Sequence, residues 1–234
     1  MADPMIIEVT RGALVESRHR VHVSVVDAAG RTVAALGDVD RAVFPRSAVK
    51  VLQALPLIES GAADAVRLTP EHLALACASH SGEQFHLDAV QENLQAAGLT
   101  TAYLQNTPSF PIDEQAKAAY VAAGNGASSL AQNCSGKHSG MLAACVAAGW
   151  DTQTYLSPEH PLQQAIRQAV EDLSGDTVEH VAVDGCGAPV MSISLAGLAR
   201  SFGRIAAAGE GPEKTVGDAM REHPQYVGGT RREV

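Results

Sequence analysis

Near the start of the chain, apolar positions alternate with polar ones. Val21, Val23 and Val25 are separated by single polar residues, a period of two that is typical of a β-strand. The turn-forming residues 27–30 follow, and we expect the apolar run 33–36 to return antiparallel. The pattern therefore predicts a β-hairpin.

After Pro45 the apolar spacing changes to three or four residues, which indicates helices. The predicted helices contain residues 49–58, 87–94, 114–123, 141–148, 162–173, 195–205 and 212–221. Ser81 and Ser157 are the expected N-caps of the second and fifth helices. Residues 181–183 predict a short strand, and the apolar run 73–77 fits either a buried strand or a helix. Many helices on an antiparallel sheet make an α+β fold.

Composition and charge restrict the function classes. The 234 residues are 46% apolar, enough for one domain over residues 1–234 with a sizeable core. The net charge is −9 and there is no basic stripe, which argues against nucleic acid as a partner. No window approaches the ~18 apolar residues of a membrane span, and no signal peptide is recognisable. We expect a cytoplasmic protein without a membrane partner.

Ser47 and Lys50 stand at the start of the first predicted helix. Positions three apart share a helix face, so the hydroxyl and the amine can meet. A lysine that loses its charge through burial can take a serine proton and create a nucleophile for acyl transfer. The alternative is a serine that caps the helix and a lysine in solvent.

A second group of reactive side chains precedes the next helix: Cys77, Ser79, His80 and Ser81. Backbone N–H groups at a helix start can stabilise a developing oxyanion, so this group is a candidate site for amide chemistry. The alternative is a capping Ser81, an inert buried Cys77 and a surface His80.

Two predicted turns carry side chains suited to a metal ion. Cys134 and His138 lie in one turn, and Asp184 and Cys186 lie in the other. Zn²⁺ accepts thiolate, imidazole and carboxylate ligands, so the four could form a tetrahedral site. The alternative is two buried or capping cysteines without a metal. A phosphate-binding loop is excluded, because His138 stands where that motif requires serine or threonine.

Four segments together resemble one family, the zinc-binding, rhizobial-type L-asparaginases, or asparaginase II family. They are residues 46–50, 76–83, 133–138 and 184–189, and the resemblance runs from about Val9 to the chain end. It implies a fold similar to that of the serine β-lactamases and glutaminases. It also implies hydrolysis of L-asparagine to L-aspartate and ammonia, in a protein that can form a homodimer.

The resemblance assigns roles to particular residues. Ser47 and Lys50 are implied to form one serine–lysine pair, and Ser79 to supply the hydroxyl of a second pair; which serine attacks stays open. A Zn²⁺ cofactor is implied, with a ligand set of Cys134, Lys137, Cys186 and, alongside, Asp184. The residues expected near the substrate are Arg46, His80 and His138.

Family members extend past the end of this chain, and the lysine partner of the second serine is expected in that further part. We therefore expect the chain as given to be C-terminally truncated and to have little or no activity. Two other functions stay open from the sequence: another Ser/Lys amide hydrolase of the same fold, such as a glutaminase-like enzyme, and a non-catalytic zinc-stabilised binding protein.

Overall fold

Helices and short antiparallel strand pairs make up the chain, which a computed structural model describes over residues 4–232. This mixture agrees with the predicted α+β class. Instead of the one antiparallel sheet that we expected, the strands of these residues pair as four two-stranded antiparallel sheets. The strands that follow the two N-terminal hairpins are only two or three residues long, so each makes one short ladder.

The strands pair as follows. β1 (Met5–Arg11) pairs with β2 (Leu14–Val21), β3 (Val23–Val26) with β4 (Thr32–Leu36), β5 (Ala42–Val43) with β8 (Ile193–Ser194), and β6 (Val181–Val183) with β7 (Pro189–Met191). The β3–β4 hairpin is the one that the alternation predicts, although Val21 belongs to β2 and not to β3. In its turn, the Asp27 carboxylate accepts hydrogen bonds from the backbone N–H groups of Ala29 and Arg31.

The helices follow the predicted order. They are α1 (Lys50–Gln53), α2 (Leu55–Glu59), α3 (Ala62–Ala65), α4 (Pro70–Ala76), α5 (Gln84–Ala96), α6 (Glu114–Ala122), α7 (Ser135–Ala148), α8 (Pro161–Ser174), α9 (Leu195–Ala207), α10 (Gly211–Glu222) and α11 (Pro224–Gly228). The ambiguous run 73–77 lies in α4 and its C-cap, so the helical alternative is the one formed.

Three local expectations differ from the structure. The single helix over 49–58 is divided into a 3₁₀ turn (Arg46–Val49), α1 and α2, because Pro56 lacks the N–H that a continuous helix needs. Ser81 does not cap α5; Glu83 occupies that position. The cap of α8 is His160, whose Nδ1 accepts from the backbone N–H of Leu162, and not Ser157.

Helix α7 is the centre of the molecule. It packs against α2, α3, α4 and α5, and its residues 135–145 are all buried. Gly136 allows the closest approach, because a Cβ there would lie 2.5 Å from the carbonyl oxygen of Leu75 in α4. The first turn of α7 and the end of α4 are therefore in direct contact. No helix within residues 4–232 has the length and apolar character that crossing a bilayer requires.

We predict that Gly136→Ala lowers the free energy of unfolding by about 1–3 kcal/mol, because the added methyl group collides with backbone that cannot rotate away. The matched control is Gly126→Ala, whose Cβ would meet nothing within 4 Å. Urea unfolding of both variants checks this. A Gly136→Ala variant as stable as Gly126→Ala would show that α4 and α7 are not packed this tightly.

Candidate active site

Lys50 is buried at the start of α1, with only 1% of its surface exposed. Its Nζ lies 2.6 Å from the carbonyl oxygen of Ala78, 2.8 Å from Ser79 Oγ and 3.0 Å from Cys134 Sγ. Burial lowers the pKa of this amine, against the opposing effect of Cys134. The lysine thus joins three parts of the chain that are distant in sequence.

Ser79 lies in the connection between α4 and α5, and its side chain is half-buried. The next residue ties this connection to the chain before α7, because the backbone N–H of His80 donates to the carbonyl oxygen of Asn133 at 3.1 Å. Ser79 and Cys134 therefore reach Lys50 from two segments that are themselves hydrogen-bonded together. The Ser79 hydroxyl is held beside a buried amine.

Ser47 does not contact Lys50 in the way that the spacing predicts. It lies in the 3₁₀ turn before α1, its side chain is exposed, and its Oγ makes no hydrogen bond within residues 4–232. The amine of Lys50 points inward, where Ala78, Ser79 and Cys134 use its hydrogen-bonding capacity. Ser47 and Ser79 nevertheless line the same cavity of about 300 Å³.

Two buried thiols lie beside two lysines. Cys134 precedes the first residue of α7 and Cys186 lies in the turn between β6 and β7, while Lys137 Nζ is 3.3 Å from Cys186 Sγ. A hydrogen bond from Cys186, together with the nearby amines of Lys50 and Lys137, holds the pKa of Cys134 below its usual value. The same hydrogen bond raises the pKa of Cys186. Of the two thiols, Cys134 is therefore the one that loses its proton more readily.

Asp184 and Arg46 form an ion pair. The Arg46 guanidinium donates to Asp184 Oδ1 at 2.9 Å, as does the backbone N–H of Gly185 at 2.8 Å. Burial raises the pKa of Asp184, but these hydrogen bonds outweigh that effect and hold the pKa below its usual value. No group of three or more histidine, cysteine, aspartate or glutamate side chains within residues 4–232 is arranged to hold a metal ion. Asp184 is thus not grouped with the two cysteines.

The two histidines expected near the substrate lie in the interior. His80 Nε2 is 2.9 Å from Ser135 Oγ, and His138 Nδ1 is 2.8 Å from the Tyr155 hydroxyl. Burial lowers the pKa of both imidazoles well below its usual value, so both are neutral. Neither imidazole is on the wall of the cavity that Ser47 and Ser79 line.

One segment that contacts the site is not apparent in the sequence pattern. Residues 228–232, which we call the strap, lie across the connection that carries Ser79. The Ser81 hydroxyl donates to the Gly228 carbonyl oxygen, and the Glu83 carboxylate accepts from the N–H and the hydroxyl of Thr230, both at 2.7 Å. Gly229 has φ +93°, and a Cβ there would lie 2.4 Å from Ser81 Oγ.

Two arginines complete the strap. Arg231 donates to the Asp113 carboxylate at 2.5 Å and lies 3.4 Å from Glu83. Arg232 Nη1 donates to the carbonyl oxygen of Ser79 at 2.9 Å. Each partner is more than a hundred residues away, so no local periodicity or spacing could have paired them.

The family model described as L-asparaginase II matches residues 7–234. The chain belongs to the L-asparaginase II family. The family predicted from the four sequence segments is therefore confirmed, and this membership supports an amidohydrolase that acts on a small-molecule substrate. No curated protein matches the chain.

The Asp113–Arg231 ion pair makes the stability of the strap in this asparaginase-family chain depend on pH. Hydrogen bonds from Arg231 lower the pKa of Asp113 to about 2, against roughly 3.9 in an unfolded chain. Because the pKa of Asp113 is lower in the folded than in the unfolded chain, the ionised carboxylate stabilises the fold above about pH 4. This stabilisation is lost as the pH falls towards 2.

We therefore predict that Asp113→Asn lowers the melting temperature at pH 6 and that its difference from the unsubstituted protein vanishes near pH 2. Asparagine keeps the helix cap that Asp113 gives to α6 and removes only the charge. Calorimetry from pH 7 to pH 2 measures both melting curves. A difference that does not change with pH would contradict the charge-based account.

Proposed function

We propose that the site in this chain serves the hydrolysis of L-asparagine to L-aspartate and ammonia, with Ser79 as the nucleophile and Lys50 as the base. The observation that carries the proposal is the 2.8 Å separation of Lys50 Nζ and Ser79 Oγ at the edge of a cavity. A base must lie within hydrogen-bond reach of the proton that it takes, and this pair meets that condition.

The other partners of Lys50 favour this role. A neutral amine has two N–H donors and one lone pair. The Ala78 carbonyl oxygen and the Cys134 sulfur accept the two N–H groups, so the lone pair is left for the Ser79 hydroxyl. Burial lowers the pKa of Lys50 and so favours the neutral form that a base requires.

The reaction then follows in two steps. Lys50 takes the Ser79 proton as Oγ attacks the side-chain amide carbon, and the resulting ammonium protonates the departing nitrogen so that ammonia leaves. Water next attacks the aspartyl ester, giving its proton to Lys50, which returns a proton to Ser79 as L-aspartate is released. Ser47, on the wall of the same cavity, is proposed to hydrogen-bond the reacting amide.

We also propose a zinc site at Cys134, Lys137 and Cys186. Two adjacent thiols and an amine are a donor set that Zn²⁺ accepts. The 3.3 Å between Lys137 Nζ and Cys186 Sγ is close to the roughly 3.5 Å expected for nitrogen and sulfur ligands of one tetrahedral Zn²⁺. When bound, Zn²⁺ would supply positive charge beside the cavity and hold the two turns together. Asp184, engaged by Arg46, is proposed to orient that arginine.

The architecture is proposed to be that of the serine β-lactamase and glutaminase group. The β3–β4 hairpin, followed by a helix that begins at Lys50, supports this. The homodimer and the cytoplasmic location inferred from the sequence stay predictions, as do the C-terminal truncation and the low activity expected of the chain as given.

We predict that Ser79→Ala and Lys50→Met each lower kcat for L-asparagine by at least about 10³-fold, because each removes half of the nucleophile–base pair. The matched control is Ser157→Ala, at an exposed serine far along the chain, which should keep full activity. Ammonia release from L-asparagine and L-glutamine by the full-length protein is the measurement. A Ser79→Ala variant that keeps a tenth of the activity would overturn the assignment.

We predict that Cys134→Ser and Cys186→Ser lower the bound zinc to below about a tenth of one equivalent, whereas Asp184→Asn keeps it. Cys145→Ala, at a buried cysteine in the second half of α7, is the control. Elemental analysis measures the metal, and the melting temperature with and without a chelator gives a second readout. Zinc retained by Cys186→Ser would exclude that ligand set.

A further inference from the structure

Arg232 shares a cavity with the two serines. The cavity of about 300 Å³ has Ser47 and Ser79 on its wall, and Arg232 is the one charged side chain among its lining residues in the described part of the chain. Most of the remaining wall is apolar, contributed by Val51, Phe202 and Val227 among others. Arg232 is exposed, and its guanidinium can bind an anion because its N–H donors match a carboxylate at two points.

We propose that Arg232 binds the α-carboxylate of the amino-acid substrate and so selects α-amino-acid amides over simple amides. This inference rests on the function proposed above. L-Asparagine has its reacting amide two carbons from the carbon that carries the carboxylate, so one molecule can reach both Ser79 and a guanidinium on the same cavity wall.

The position of Arg232 is fixed by contacts that leave its guanidinium available. One N–H, at Nη1, donates to the Ser79 carbonyl oxygen at 2.9 Å. An arginine has five N–H donors, and within residues 4–232 the other four have no hydrogen-bond partner, so they can bind a carboxylate in the two-point geometry that arginine favours. The same hydrogen bond links the carboxylate site to the backbone of the proposed nucleophile.

The strap holds this arginine in place. Thr230 is hydrogen-bonded to Glu83, and Arg231 is paired with Asp113 and Glu83, so the residues immediately before Arg232 are anchored by two carboxylates. The positive φ of Gly229 makes the bend that brings the strap against Ser81. Binding is favoured when the recognising group is already positioned.

The other arginine near the site is less suited to this role. The guanidinium of Arg46 is paired with Asp184 at 2.9 Å, so its charge is already balanced by a carboxylate. Arg46 is also absent from the wall of the cavity that contains Ser79. The geometry therefore favours Arg232 over the residue that the sequence suggested.

The first test compares two substrates in the full-length protein. L-Asparagine carries the α-carboxylate, and 3-aminopropanamide has the same amide and amine without it. We expect Arg232→Met to raise KM for L-asparagine by about 10- to 100-fold with little change in kcat. It should leave kcat/KM for 3-aminopropanamide unchanged. Arg221→Met, at an exposed arginine of α10, is the matched control and should change neither.

Two results in this assay would overturn the inference. One is an unchanged KM for L-asparagine in Arg232→Met. The other is an equal loss on both substrates, which would mean that Arg232 only supports the fold around Ser79. If Arg232→Met does not fold, Arg232→Lys is measured instead. We expect its KM to rise several-fold for L-asparagine alone, and a KM for L-asparagine equal to that of the unsubstituted protein would again overturn the inference.

A binding measurement separates this inference from the proposed reaction. By calorimetry, the unsubstituted protein should bind L-aspartate at least about tenfold more tightly than β-alanine, which lacks the α-carboxylate, and Arg232→Met should remove that preference. If no ammonia is released but this preference is found, the proposed reaction fails and the carboxylate site stands. No preference in the unsubstituted protein, or an undiminished one in Arg232→Met, overturns the site whatever the activity.

Discussion

The buried amine of Lys50 is the constraint on which the rest of the site depends. A lysine amine with 1% of its surface exposed needs hydrogen-bond partners inside the protein, since an unpaired polar group would cost free energy in this environment. Its three partners, Ala78, Ser79 and Cys134, come from two segments far apart in sequence. The hydrogen bonds of this one buried amine therefore bring the Ser79 hydroxyl and the Cys134 thiol together.

The packing around α7 holds the segments with Ser79 and Cys134 close to each other. The close contact at Gly136 brings the first turn of α7 against the end of α4, and these are the two elements next to Cys134 and Ser79. The strap adds a second, electrostatic fixation on the other side of the same connection through Glu83. The segment with Ser79 is thus held from the interior by packing and from the surface by charge.

Local physics explains which parts could be predicted from the sequence. The β3–β4 hairpin follows from alternation and a turn, and α7 follows from an apolar run that ends at Gly149 in the left-handed conformation. The four reactive segments were also recognisable, because they are continuous in sequence. What could not be predicted is how their side chains pair. The spacing of Ser47 and Lys50 suggested one partner, whereas burial turned the amine towards Ser79.

The side-chain contacts of the strap could not be predicted from the sequence either. Its pairs join residues more than a hundred positions apart, and only the folded chain brings Arg232 to the cavity.

The central claim, that Ser79 attacks with Lys50 as its base, is tested most directly by identifying the serine that is acylated. Full-length protein would be mixed with L-asparagine, quenched in acid within one turnover, and its peptides mapped by mass spectrometry. The account predicts an aspartyl ester on Ser79; an ester on Ser47 would contradict it.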